Sequence, residues 1–154
     1  MKQKHLKILF AWFGVLIWCA LCLYLASQRL ADTTRLSAAL THWILDLLQL
    51  PGQTWYMRVF DGLRLAAHIL MFFVLAVLLS TAFVLTTGNT HRSYVYSLGV
   101  CGILAVSSEL GKLLVPGRHC SLLDMLLNIL GCLLGTGLIF LLRRRSISGK
   151  GRRR

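Results

Sequence analysis

Four long stretches with few charges decide what this chain can fold into: Ile8–Ala26, Leu63–Thr86, Tyr94–Val115 and Leu122–Leu142. At about 1.5 Å of rise per residue, a helix of such a length covers the roughly 30 Å hydrocarbon core of a bilayer. Lipid offers no hydrogen bonds to a backbone, so each crossing segment must satisfy its own N–H and C=O groups, as an α-helix does. Composition agrees. Of 154 residues, 56% are hydrophobic and 14% charged, too little charge to cover a water-soluble surface. The expected fold is an all-α integral membrane protein with four transmembrane helices and an amphipathic interfacial helix between the first and second. The first stretch has a basic start, like a signal peptide. It is long for the apolar core of one, and Leu25-Ala26-Ser27-Gln28 is a poor cleavage site, so it reads as an uncleaved helix.

Charge sets the orientation. The net charge is +12, from 17 Lys+Arg against 5 Asp+Glu. The excess gathers at the two ends: Lys2, Lys4 and Lys7, then Arg143, Arg144, Arg145, Lys150 and Arg152 to Arg154. Both clusters flank apolar stretches, as cytoplasmic anchors on anionic headgroups do, and this reading displaces nucleic acid as a partner. Both termini are then expected in the cytoplasm. Residues 28–63 and the turn at Pro116 fall outside, and the 87–93 connector falls inside. The outer segment is balanced, with Arg29, Arg35 and Arg58 against Asp32, Asp46 and Asp61. Residues 1–145 form the transmembrane domain, and 146–154 a basic cytoplasmic tail expected to lack structure.

Within 28–63, Leu36, Leu40, Trp43, Leu47 and Leu50 recur at helical spacing, with His42, Asp46 and Gln49 opposite. This predicts an amphipathic helix over about 36–50, stopped by Pro51-Gly52 and lying on the membrane surface. Trp55 and Tyr56 suit headgroup level. Pro116-Gly117 marks a tight turn. Five cysteines, four of them in apolar stretches, do not make a disulfide framework, and Cys19 and Cys22 read as small buried hydrophobes.

With the spans placed, the ionisable residues fall at one depth, within roughly 10 Å of the outer boundary at 1.5 Å per residue. Arg64 and His68 open the second span, Glu109 nears the end of the third, Arg118 and His119 occupy the turn, and Asp124 and Asn128 open the fourth. Charges inside a membrane face the bundle interior, pair, or line a wet cavity. Each has a plainer reading. Glu109 and Lys112 are i, i+3 and suit an intrahelical ion pair with the lysine snorkelling outward. Ser121-x-x-Asp124 is a capping box at a helix N-terminus. His68 suits a satisfied interior histidine and Arg64 an interface anchor. Asn128 needs a partner on another helix, and Gly131-x-x-x-Gly135 beside it allows close helix approach. The shared depth, drawn from three helices, is the stronger signal, and it points to an outward-facing polar site.

At these residues a family shows through. The stretch from Glu109 through Pro116-Gly117-Arg118, Asp124 and Asn128 to Gly131 resembles the VanZ-like family. Its pattern there is a glutamate, a Pro-Gly-Arg turn, an aspartate, an asparagine and a glycine. Arg64-Leu-Ala-Ala-His68 is similar to that family's Arg-Lys-x-x-His segment, and Leu25-Ala26-Ser27-Gln28 to the Ser-Ser-Gln end of its first helix. The match spans roughly Phe10 to Leu142. Lys112 stands where the family often has Gln, Leu65 where it has a basic residue, and Ile69 where an aromatic is common. The resemblance implies a bacterial inner-membrane protein. The family's named member is linked to low-level resistance to the glycopeptide teicoplanin, which acts on the wall outside the membrane.

Three functions follow. The first is envelope modification or tolerance to glycopeptide-like antibiotics, through a site of Arg64, His68, Glu109, Arg118, Asp124 and Asn128. Its partners are membrane lipids and a lipid-linked envelope precursor or amphiphilic antibiotic, with the arginines holding phosphate or carboxylate. The second is a membrane enzyme on a lipid-linked substrate, with Glu109 or Asp124 as base and His68 as acid, though no known catalytic motif is present. The third is a small transporter or channel subunit, which the dry inner halves of the helices disfavour. No cofactor is expected. His68, Glu109 and Asp124 are donor types for a cation, but their spacing matches no metal motif.

Overall fold

A computed structural model describes the backbone of residues 2–28, 30–50 and 52–151, and their side chains except at 27, 30–33 and 145–151. Arg29, Pro51 and Arg152 to Arg154, and the side chains of Ser27, Asp32, Arg145 and Lys150, therefore lie outside the described residues. The described residues form five α-helices: α1 (Lys2–Ser27), α2 (Leu30–Leu48), α3 (Gln53–Thr87), α4 (Thr90–Gly111) and α5 (Leu122–Gly151), with a 3₁₀ turn at Lys112–Leu114. No strand occurs among the described residues. Four helices, α1, α3, α4 and α5, are long and apolar enough to cross a membrane. The chain is an all-α membrane protein.

Helix α3 is the axis, touched by the other four. Phe72, Leu75, Ala76, Leu79 and Ala82 recur every three or four residues along it and are buried, with Cys101 and Ala105 of α4 and Cys132 of α5 against them. Side-chain pairs fix the directions. Ser80 meets Ser97, and Phe72 meets Cys101, so α3 and α4 are antiparallel. Arg64 meets Asp124, and Ser80 meets Thr136, so α3 and α5 are parallel. Two indoles tie α1 to α3: Trp12 Nε1 donates to Thr86 Oγ1 at 3.0 Å, and Trp18 Nε1 to the Met71 carbonyl at 2.9 Å. Helix α1 sits at the side of the bundle, where only Val15 among its described residues is buried.

The closest approach is between α3 and α5. A Cβ on Gly131 would run into the carbonyl oxygen of Ile69, and one on Gly135 into that of Phe73. Only glycine admits the backbones this near, which is the packing that Gly131-x-x-x-Gly135 suggests.

The helix bounds differ from the sequence expectation in ways that have local causes. The α3–α4 connector shrinks to Gly88 and Asn89. Gly88 takes φ +68°, its N–H closes on Val84 O, and the Asn89 side chain accepts from Arg92 N at 3.1 Å. His91 and Arg92 thus belong to the first turn of α4 and not to a loop. Helix α3 has 35 residues and starts ten before the expected span. At 1.5 Å per residue that is about 50 Å, well beyond the hydrocarbon core. Its projecting first turns carry Tyr56, which stacks on Phe60 and meets His42 of α2. Helix α2 starts earlier than expected and ends at Leu48 through Gln49 in the left-handed region (φ +51°), with Leu50 N bonded to Leu45 O at 3.1 Å. Its buried contact is Thr41, with Ser37 and Leu45 half-buried beside it, and Leu36, Leu40, Trp43 and Leu47 remain exposed as one apolar stripe. The tail is corrected in part: α5 continues through Gly151, because no proline and no left-handed glycine interrupts residues 143–151. The turn behaves as Pro116-Gly117 requires, with Gly117 at φ +80° and Arg118 N bonded to Val115 O at 3.1 Å.

Candidate functional site

Arg64 and His68, four residues apart, lie on one face of α3. Glu109 and Lys112, three apart, end α4 and begin the 3₁₀ turn. Asp124 and Asn128, again four apart, open α5. Where these three elements meet, the six side chains join into one network.

Asp124 is its centre. Arg64 Nη2 lies 3.1 Å from Oδ1 and 3.2 Å from Oδ2. His68 Nε2 lies 3.3 Å from Oδ2, and Lys112 Nζ 3.1 Å from the same oxygen. Glu109 is the second anion. Its Oε1 receives Lys112 Nζ at 2.7 Å and Asn128 Nδ2 at 3.4 Å, and its Oε2 receives the Ser121 N–H at 3.4 Å. Each carboxylate oxygen faces donors alone, which suits the acceptor-only ionised form. Asn128 fixes one more role. Its nitrogen is spent on Glu109, so its Oδ1 faces His68 Nδ1 at 3.0 Å. Both ring nitrogens of His68 thus lie against oxygen atoms, Asn128 Oδ1 and Asp124 Oδ2.

The network is buried at its floor and open at one edge. Glu109 and Asn128 are 1% exposed and Asp124 3%. His68 is half-buried, and the Arg64 side chain is 53% exposed. Arg64 is the rim.

The N-terminus of α5 shows how the site is built. Ser121 caps it, accepting from Asp124 N at 3.2 Å. In a capping box the N3 side chain would return the bond to the Ser121 N–H. Here N3 is Asp124, turned toward Arg64, His68 and Lys112, and Glu109 from α4 supplies that return bond. One carboxylate caps a helix and pairs a lysine at once.

Five of the six residues that the sequence names as a site converge: Arg64, His68, Glu109, Asp124 and Asn128. Arg118 takes a different place, its Nη1 donating to the Ala26 carbonyl at 2.7 Å near the C-terminal end of α1. Two further members are Lys112 and Ser121. Lys112 makes the i, i+3 pair with Glu109 but does not snorkel outward. It is 9% exposed and points inward, because a second carboxylate on α5 outcompetes water for its ammonium.

At the far end of the same helices, described side chains meet through hydroxyls. Ser80 Oγ lies 2.9 Å from Ser97 Oγ and 3.5 Å from Thr136 Oγ1, and Thr87 Oγ1 lies 2.8 Å from Ser93 Oγ.

A model of the VanZ/LLP1 family matches residues 10–143. No curated protein and no solved structure matches the chain.

Proposed function

Because the chain belongs to the VanZ/LLP1 family, we propose that this multi-pass membrane protein resides in a bacterial inner membrane, both termini cytoplasmic, and acts at its outer face in envelope modification or tolerance to glycopeptide-like antibiotics. The observation that carries the reading is the ionic network at one end of the bundle, with Arg64 at its open edge. An amphiphilic or lipid-linked molecule is held there by its anionic headgroup. Arg64 turns part of its guanidinium to phosphate or carboxylate. Lys112 and His68 keep Asp124 paired meanwhile. The apolar stripe of α2, Leu36, Leu40, Trp43 and Leu47, lies in the headgroup layer beside the site. The positive clusters at both termini support the orientation.

Two other readings have less support. A base on Glu109 or Asp124 needs a carboxylate free to take a proton, and each is engaged by donors. A pathway through the bundle meets Leu75, Ala76 and Leu79, all buried.

The test uses Cys120, the one exposed cysteine of the five. A membrane-impermeant thiol reagent is expected to label it in intact cells, and Cys120→Ser to abolish labelling. Labelling only after permeabilisation overturns the orientation and the outer-face role together. With orientation established, Glu109→Gln is expected to remove antibiotic tolerance at unchanged protein level. Equal loss of protein assigns the network to packing alone.

A further inference from the structure

Three side chains of metal-ligand type converge from three helices: His68 of α3, Glu109 of α4 and Asp124 of α5. One donor atom of each lies within 4.8 Å of the others. Two of the three residues are buried, and the third is half-buried. Among and beside these atoms sits a cation that belongs to the chain. The ammonium of Lys112 is 2.7 Å from Glu109 Oε1 and 3.1 Å from Asp124 Oδ2, the same Asp124 oxygen that His68 Nε2 approaches at 3.3 Å.

We propose that His68, Glu109 and Asp124 form a divalent-cation site whose resident cation is the tethered ammonium of Lys112. Taking that ammonium away opens the site to a metal of the zinc or cobalt class.

Size and charge both argue for this. A tetrahedral shell with bonds of about 2.1 Å has edges of roughly 3.4 Å. The present spread of up to 4.8 Å is wider by about 1.4 Å. It fits an ammonium with hydrogen bonds near 3 Å, and side-chain rotation closes the difference. Without Lys112, Asp124 keeps Arg64 as its permanent cation, and buried Glu109 loses its own. A buried anion left unpaired is among the costliest changes a protein can suffer, so uptake of a divalent cation is strongly driven. One imidazole and two carboxylates suit zinc or cobalt, with the fourth position open toward the Arg64 edge. The inference rests on the same residues as the proposed function but not on its headgroup ligand. Metal binding and antibiotic tolerance can therefore fail independently.

The experiment is a Co²⁺ titration of purified full-length Lys112→Met, followed by visible absorption and thermal unfolding. One Co²⁺ per chain is expected, bound at least 100-fold more tightly than by wild type, with a rise in Tm that wild type lacks. The spectrum should show oxygen and nitrogen ligation without a thiolate charge-transfer band, which would betray the cysteines. Adding His68→Ala or Asp124→Asn to Lys112→Met is expected to abolish the signal. Should Lys112→Met fail to fold, Lys112→Gln carries the same test, since its amide still donates to the carboxylates. Binding no tighter than wild type, or binding indifferent to His68→Ala and Asp124→Asn, overturns the proposal.

Discussion

The same three helices, α3, α4 and α5, are tied together at two levels by different chemistry. At the α2 end the ties are ionic: two carboxylates, a lysine, an arginine, a histidine and an amide. At the other end they are hydroxyls, with Ser80 meeting both Ser97 and Thr136. Both levels close the bundle, yet their energetic characters differ. A buried ion network recovers little beyond its desolvation cost, and apolar residues of equal volume often hold a protein as well. Interhelical hydroxyl bonds in membranes are cheap and weak. A chain that needed only to hold its helices together could have used hydroxyls at both levels. The proposed function draws on the ionic level for this reason, and the hydroxyl level serves as its packing reference.

Substitutions can break this contrast. The largest effect is expected for Asp124→Ala, which strands Lys112, Arg64 and His68. Thermal unfolding in detergent should show a loss of about 3–5 kcal/mol. A loss no greater than that at the hydroxyl level would erase the distinction. Next comes Gly131→Ala, whose methyl meets the Ile69 carbonyl, at about 1–3 kcal/mol. Gly137→Ala has open space and should change stability by less than about 0.5 kcal/mol, which separates overpacking from any general effect of alanine. Among the substitutions that remove a contact, the smallest effect is expected for Ser80→Ala, about 0.6 kcal/mol. A value several times larger would mean that the hydroxyl level is no mere fastening.

What could be read from the sequence follows the same divide. The four spans were legible because the partition between lipid and water acts on each segment alone, and its residues carry the signal. Arg64, His68, Glu109, Asp124 and Asn128 could be grouped because helical rise converts sequence position into depth. The inward direction of Lys112, expected to snorkel outward, was not legible. Its spacing to Glu109 allows an ion pair with the ammonium turned outward or inward, and the choice is made by Asp124 on another helix. Arg118 was likewise placed by something distant, the Ala26 carbonyl near the end of α1. The exposed stripe of α2 was legible, but the face that packs was not, since Ser37 and Thr41 give no hydropathic signal. Its stop at Gln49 depends on a left-handed backbone that glutamine seldom takes.

The return bond from Glu109 to the Ser121 N–H has a bearing on how the protein is made. Glu109, Lys112, Ser121 and Asp124 all lie on the hairpin of α4 and α5. Entering the bilayer one at a time, each charged residue would resist insertion by up to about 2.5–3.5 kcal/mol at full depth. Entering as a hairpin, Lys112 is already flanked by both carboxylates, and the N-terminus of α5 is already capped. The cluster of Glu109, Lys112 and Asp124 then carries one surplus negative charge, and Arg64 on the earlier-synthesised α3 is the complement waiting for it. Order of synthesis and order of neutralisation coincide, so the last two spans can join the membrane as a single partner for a helix already there.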